Sequence, residues 1–209
     1  MCVRYRLTQA KGYAEINGIR NLPTVSPRFN INPRDQIAVV LDESPDTISE
    51  ASWGLVPSWA EDTRVGAYLI NAHVDNITTK PAYREAFMRR HCLIAADGFF
   101  EWQKVGTLTQ PYNICLKNGE PFSFAGLWES WKDPDGKEIR TCTIITCEPN
   151  DVMFRIHYQM PVILPVDKTR AWLDSSTSKD ERLSLLCPYD STQMIAYPIS
   201  KSLEPPSVR

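Results

Sequence analysis

The chain has 209 residues, 43% of them hydrophobic and 23% charged, with a net charge of -2. That balance fits an ordinary soluble globular domain, long enough to bury a core without staples. It excludes a chain wrapped in a global basic field, and no apolar run approaches the roughly 20 residues of a membrane helix.

In chain order, Met1-Cys2-Val3-Arg4-Tyr5-Arg6 has no apolar run behind it and is not a secretory signal. A cytoplasmic location is the expectation (nucleoid-associated if the source is bacterial), with no membrane contact. Thr8 to Ile19 reads as a helix weakened by Gly12 and Gly18. Gln36 to Leu41 reads as a strand that pairs with Ile48 to Trp53, and Tyr68 to Ile70 as a further short strand. Pro81 to Arg90 is a helix with proline in its first turn; Ala82, Phe87 and Met88 face inward and leave Arg84 and Arg89 to face elsewhere.

Cys92 to Ala96 and Phe99 to Gln103 are strands separated by the turn signal Asp97-Gly98. Further strands fall at Tyr112 to Leu116, Phe122 to Gly126, Arg140 to Thr146 and Val162 to Leu164, with hairpin turns at Asn118-Gly119 and Asp135-Gly136. Thr169 to Leu173 and Lys179 to Leu186 look helical. The 16 prolines are spread along the chain, so they punctuate one domain rather than form a linker. With no βαβ alternation and no glycine-rich phosphate loop, the reading is α+β. It is a single compact domain over residues 1–209, with a curved, mostly antiparallel sheet approaching a barrel and flanked by helices.

Six cysteines are present. None sits in a CxxC pair, and Cys142 and Cys147 are too isolated from any histidine for a zinc site. No metal and no cofactor are expected. Cys92, Cys115 and Cys142 lie in apolar or β-branched runs and read as buried structural thiols. Cys2 precedes any core-like pattern. Aminopeptidases remove an initiator methionine when the next side chain is small, so Met1 is expected to be lost. That leaves an exposed terminal residue with an amine and a thiol on adjacent carbons. The amine ordinarily titrates near 7.7–8.0, so a usable fraction is nucleophilic at neutral pH. A 1,2-aminothiol reacts durably with an aldehyde: the amine forms a Schiff base and the thiol then closes a five-membered thiazolidine. Position alone leaves the plainer reading open, that Cys2 is merely the second residue.

Glu101 sits in Gly98-Phe-Phe-Glu-Trp-Gln103. A carboxylate among aromatic rings is desolvated, which raises its pKa toward the range of a general acid; the alternative is an exposed alternating position. His157, one of three histidines, precedes a buried strand and is either structural or catalytic. Asn71 caps a turn or orients a substrate. The loop Trp53-Gly-Leu-Val-Pro-Ser-Trp59 is either a core loop or a stacking surface for bases. From Lys80 to Arg90, Lys80, Arg84, Arg89 and Arg90 stand against Glu85 alone. This is a local basic patch or a solvated helix face.

Together these pieces resemble the SOS response-associated peptidase (SRAP) family of abasic-site processing proteins. The resemblance is carried by Met1-Cys2 with Arg4, Phe29-Asn30-Ile31-Asn32-Pro33, the Trp53–Trp59 loop, Asn71-Ala72, Lys80-Pro81, Gly98-Phe-Phe-Glu-Trp102 and His157 before Met160-Pro161. It implies a protein that crosslinks to abasic sites in single-stranded DNA through a thiazolidine on Cys2. It further implies that Asn71 holds the amine and a sugar oxygen, Glu101 moves protons in ring opening and closure, and His157 assists Schiff-base steps, lyase chemistry and reversal. A proteolytic activity, autocatalytic in one view, would use the same Cys2. Arg4, Asn30, Trp59 and Thr146 fall where the family touches DNA, and the basic patch adds Lys80 and Arg84. His73 and Gln159 stand in the phosphate-holding set where the family favours arginine, Asp75 stands for a glutamate, and Val3 for a glycine. A monomer is expected. Two rivals remain: an N-terminal-nucleophile amidohydrolase using Cys2, and a non-enzymatic single-strand binder in which Cys2 is incidental.

Overall fold

The computed structural model describes residues 2–200; Met1, whose removal is expected, and the divergent tail with Pro205-Pro206 lie outside the described residues. The chain opens with β1 (Tyr5–Leu7), α1 (Ala10–Ile16), β2 (Arg28–Ile31), β3 (Gln36–Leu41), β4 (Ile48–Trp53), β5 (Asn71–His73) and α2 (Pro81–Arg89). It continues with β6 (His91–Ala96), β7 (Gly98–Val105), β8 (Leu108–Leu116), β9 (Phe122–Lys132) and β10 (Glu138–Cys147). Last come β11 (Met160–Pro161), β12 (Ile163–Leu164), α3 (Val166–Leu173), α4 (Lys179–Ser184) and β13 (Met194–Pro198).

The strands form two sheets in one compact α+β domain. In the larger sheet β9, β6, β3, β4 and β10 pair in turn, and β10 pairs back onto β9, closing a five-strand ring. The expected approach to a barrel is therefore met. β10 runs parallel to β4 and β5; the remaining pairings are antiparallel. Fully buried Leu41, Trp53, Ile94, Phe124 and Ile144 contribute to its core. The second sheet runs β13-β8-β7-β1-β2 and packs on the ring through Tyr5 and Phe99, whose rings meet Phe124 edge-on at 5.8 and 5.9 Å. Aromatic edges against faces add to the area term there. None of the described helices is long and apolar enough to cross a membrane.

Two expected hairpins are crossings between sheets. Asp97-Gly98 carries the chain from β6, in the ring, to β7, in the second sheet. Asp97 is buried, and its carboxylate receives the backbone amides of Thr8 and Gln9 and ion-pairs Arg6 at 2.9 Å. Tertiary partners thus fix that turn rather than a hairpin ladder. Asn118-Gly119 likewise leads from β8 to β9, strands of different sheets. Asp135-Gly136 is the expected hairpin, joining β9 to β10 with Gly136 at φ 83°. The true second-sheet hairpin is β7–β8, turning at Gly106.

Tyr68 to Ile70 is not a strand. Thr63–Tyr68 forms a 3-10 helix, Tyr68 is exposed, and pairing begins at Asn71. On α2 the buried face is Tyr83, Ala86 and Phe87, spaced three and four apart. Met88 is exposed, against expectation, and Arg89 pairs Glu85 at 3.2 Å. Cys92 and Cys142 are buried as expected, but Cys115 is only half-buried.

Candidate active site

Strand register brings the start of the chain to Glu101. β1 and β7 run antiparallel with Tyr5 opposite Phe99, and the Phe100 amide donates to Arg4 O at 2.9 Å. Moving back along β1 while moving forward along β7 brings the first residues alongside Glu101. Glu101 shares the face of Phe99, two residues away, and is 3% exposed. Desolvation pushes its carboxyl up to about 7, although the positive chain terminus pulls the other way. Cys2 is also buried, against the expectation of an exposed terminal residue. Burial and then the charge of Glu101 push its thiol well above the usual range, so the two groups feel one another.

Asn71 is the first residue of β5, set by parallel pairing to Ile144 of β10. Its Nδ2 donates to Cys2 O at 2.7 Å. Its own backbone O accepts from Tyr83 Oη at 3.0 Å, which ties α2 to the site. Asn71 Oδ1 is buried and accepts no hydrogen bond among the described residues. Sequence reasoning missed Tyr83, whose signal was its place on the apolar stripe of α2. His157 follows the turn after β10. Its Nδ1 accepts from the Gln159 amide at 3.1 Å, and its ring stacks on Tyr158 with centroids 4.3 Å apart. Burial first, and then positive charge at the chain start, push it down to about 4. The structure brings together a thiol, an amide and a carboxyl that titrates near neutrality, and an imidazole that is neutral there shares a groove wall with Trp102, the next residue after Glu101.

A family model described as SOS response associated peptidase (SRAP) matches residues 1–206. The chain belongs to the SRAP family. It is 43% identical to "Abasic site processing protein YoaM" of Bacillus subtilis, over 86% of this chain and 81% of that protein. It is 29% identical to "Abasic site processing protein HMCES" of Xenopus tropicalis, over 79% of this chain and 59% of that one. A crystal structure of a protein from Bacteroides thetaiotaomicron superposes with a TM-score of 0.90 at 30% identity, covering 96% of this chain and 93% of that one.

The residues expected to meet DNA in this SRAP chain lie on several elements of the fold. Arg4 lies over the Trp102 ring at 5.5 Å. Lys80 precedes α2 and Arg84 lies on it; both are exposed, next to the Tyr83 tether. His73 is part-buried beside Asp75, with Nδ1 to Oδ2 at 3.3 Å, and Gln159 is part-buried beside His157. Thr146 is 1% exposed, between His73 of β5 and Pro161 of β11, and so lies beneath the site's surface. Trp59 is 64% exposed on its loop, and Asn30 is exposed on β2. Val3 packs part-buried against the core. Among the described residues, no group of three or more His, Cys, Asp or Glu side chains is placed to hold a metal.

Proposed function

We propose that this protein forms a covalent thiazolidine between Cys2, freed of Met1, and the aldehyde of an abasic site in single-stranded DNA. The observation that carries the reading is the Asn71–Cys2 hydrogen bond with Glu101 alongside. The names of the relatives, abasic site processing proteins, support the substrate. The neutral amine of Cys2 attacks the aldehyde carbon, and water leaves as the imine forms. The sulfur then bonds to the imine carbon, and the thiol proton ends on nitrogen. The order, amine first, follows from a thiol held protonated by burial.

Glu101, protonated below about pH 7, donates to the sugar ring oxygen as the ring opens and to the oxygen that leaves as water. Asn71 Oδ1 accepts from the amine or a sugar hydroxyl. His157, neutral at working pH, takes the proton whose loss drives lyase chemistry from the imine, and returns protons on reversal. Peptide cleavage through Cys2, the activity in the family's name, would need a thiolate, which this setting opposes; it ranks second. The protein acts as a monomer in the cytoplasm, and the domain is one unit over the whole chain.

Protein lacking Met1, mixed with a single-stranded oligonucleotide bearing one abasic site, should give a band that survives heating in denaturant. Cys2→Ala should lose that band but keep an imine that borohydride traps, because the α-amine remains. An equally heat-stable band from Cys2→Ala, or from protein whose intact mass retains Met1, would overturn the thiazolidine.

A further inference from the structure

We propose that the aromatic groove beyond His157 is a second stacking site for the single strand, seating bases on the side of the lesion away from Trp59; this rests on the DNA reading above. The groove has a volume of about 700 Å³, and its wall includes Trp102, Lys104, Phe154, Arg155, His157 and Tyr158. Phe154 and Tyr158 are 77% and 72% exposed. Rings left this far in water gain little from the core, and paired at a groove they mark a binding surface. Single-strand sites combine such rings with basic side chains that follow the backbone. Here Lys104 and Arg155 are exposed, against Glu148 as the acid in the wall. Gln103 Nε2 donates to Arg155 O at 2.6 Å and fixes the loop to β7.

The order of features along β10 sets the direction. The loop that bears Trp59 is anchored at the Thr141 end, where Val56 N donates to Thr141 Oγ1 at 2.9 Å. Asn71, bonded to Cys2, pairs at Ile144; His73 pairs at Thr146. The groove begins at Glu148. From Thr141 to Glu148 is about 20 Å of strand, with Cys2 between the two aromatic stations. The Tyr158 ring is stacked on the His157 imidazole at an interplanar angle of 27°. A base on the outer face of Tyr158 would extend a stack that starts at the reacting centre.

The test is equilibrium binding of the Cys2→Ala protein to single-stranded abasic oligonucleotides carrying 2-aminopurine on one flank or the other. Quenching on one flank should vanish in Phe154→Ala and Tyr158→Ala. Quenching on the opposite flank should vanish only in Trp59→Ala. Each ring lost should weaken binding by roughly 5- to 100-fold, and Tyr158→Phe should restore it. Unchanged quenching and affinity in both alanine variants, in a protein that with Cys2 intact still forms the heat-stable adduct, would sink this inference and leave the function standing. Absence of both adduct and DNA binding would sink both. Loss in the alanine variants of binding to a short polyglutamate peptide, with DNA binding intact, would overturn it in favour of a protein partner.

Discussion

Glu101 lies on the Phe99 face of β7, with its carboxyl held up to about 7 by desolvation. The folded chain keeps a proton there that the unfolded chain, with a carboxyl near 4.5, releases. The contribution of Glu101 to stability is therefore greatest below about pH 4.5 and declines as pH rises to 7. Above that a constant penalty on the order of 3 kcal/mol remains. Glu101→Gln should raise the urea midpoint at pH 8 far more than at pH 5, while slowing crosslinking roughly 10²- to 10⁴-fold. An equal shift at both pH values would mean the carboxyl is not desolvated. The wild-type rate should follow a bell with limbs near pH 7 and 8, set by the carboxyl and the amine. The Gln variant should lose the fall at high pH. At this scale the sequence was informative where a residue's neighbours in the chain make its environment, as the rings flanking Glu101 do. It was silent on Tyr83 and Tyr158, whose partners are a carbonyl twelve residues back and a face of an adjacent ring.

Elements were legible as periodicity and illegible as pairing. The signals Asp97-Gly98 and Asn118-Gly119 are those of hairpins, yet both serve as crossings, because partner choice depends on residues far away, such as the amides of Thr8 and Gln9 that hold Asp97. β1, β2 and β13 are three to five residues long and carry too little alternation to be read. The loop that carries Trp59 depends on a different long-range contact. Gly54 has φ 138°, and a Cβ there would lie 2.5 Å from Gly66 O; a Cβ on Gly66 would lie 2.7 Å from Gly54 O. Gly54→Ala should destabilise by roughly 1–3 kcal/mol and weaken DNA binding through Trp59. Gly12 is the control: its Cβ would meet Pro121 Cγ at 3.8 Å, an ordinary contact. Gly12→Ala should stabilise by up to about 1 kcal/mol. Urea midpoints of the two variants check both, and a neutral Gly54→Ala would show that the loop tolerates the close approach.

For the whole molecule, net charge gave no hint of a nucleic-acid partner, because -2 averages over a surface whose basic groups are local. Arg4 is two residues from Cys2 and Lys80 and Arg84 are exposed at the start of α2, while His73 lies beside Asp75 and Gln159 carries no charge. An arginine grips a phosphate with two hydrogen bonds and stays charged at every working pH. His73→Arg with Gln159→Arg should tighten single-strand binding and steepen the log–log salt slope by roughly 1.4, at about 0.7 per phosphate neutralised. Titration of the Cys2→Ala background across salt measures it, and an unchanged slope would remove both positions from the phosphate path.

Cys2 emerges first in synthesis, but the groups that surround it come much later: Asn71, Glu101 and His157 lie 69, 99 and 155 positions downstream. On the proposed chemistry, a growing chain freed of Met1 would carry an aminothiol in open solution, where a metabolic aldehyde would cap it. Folding ends that exposure by drawing the side chain into the core. The same burial that raises the thiol pKa keeps its sulfur out of open solvent.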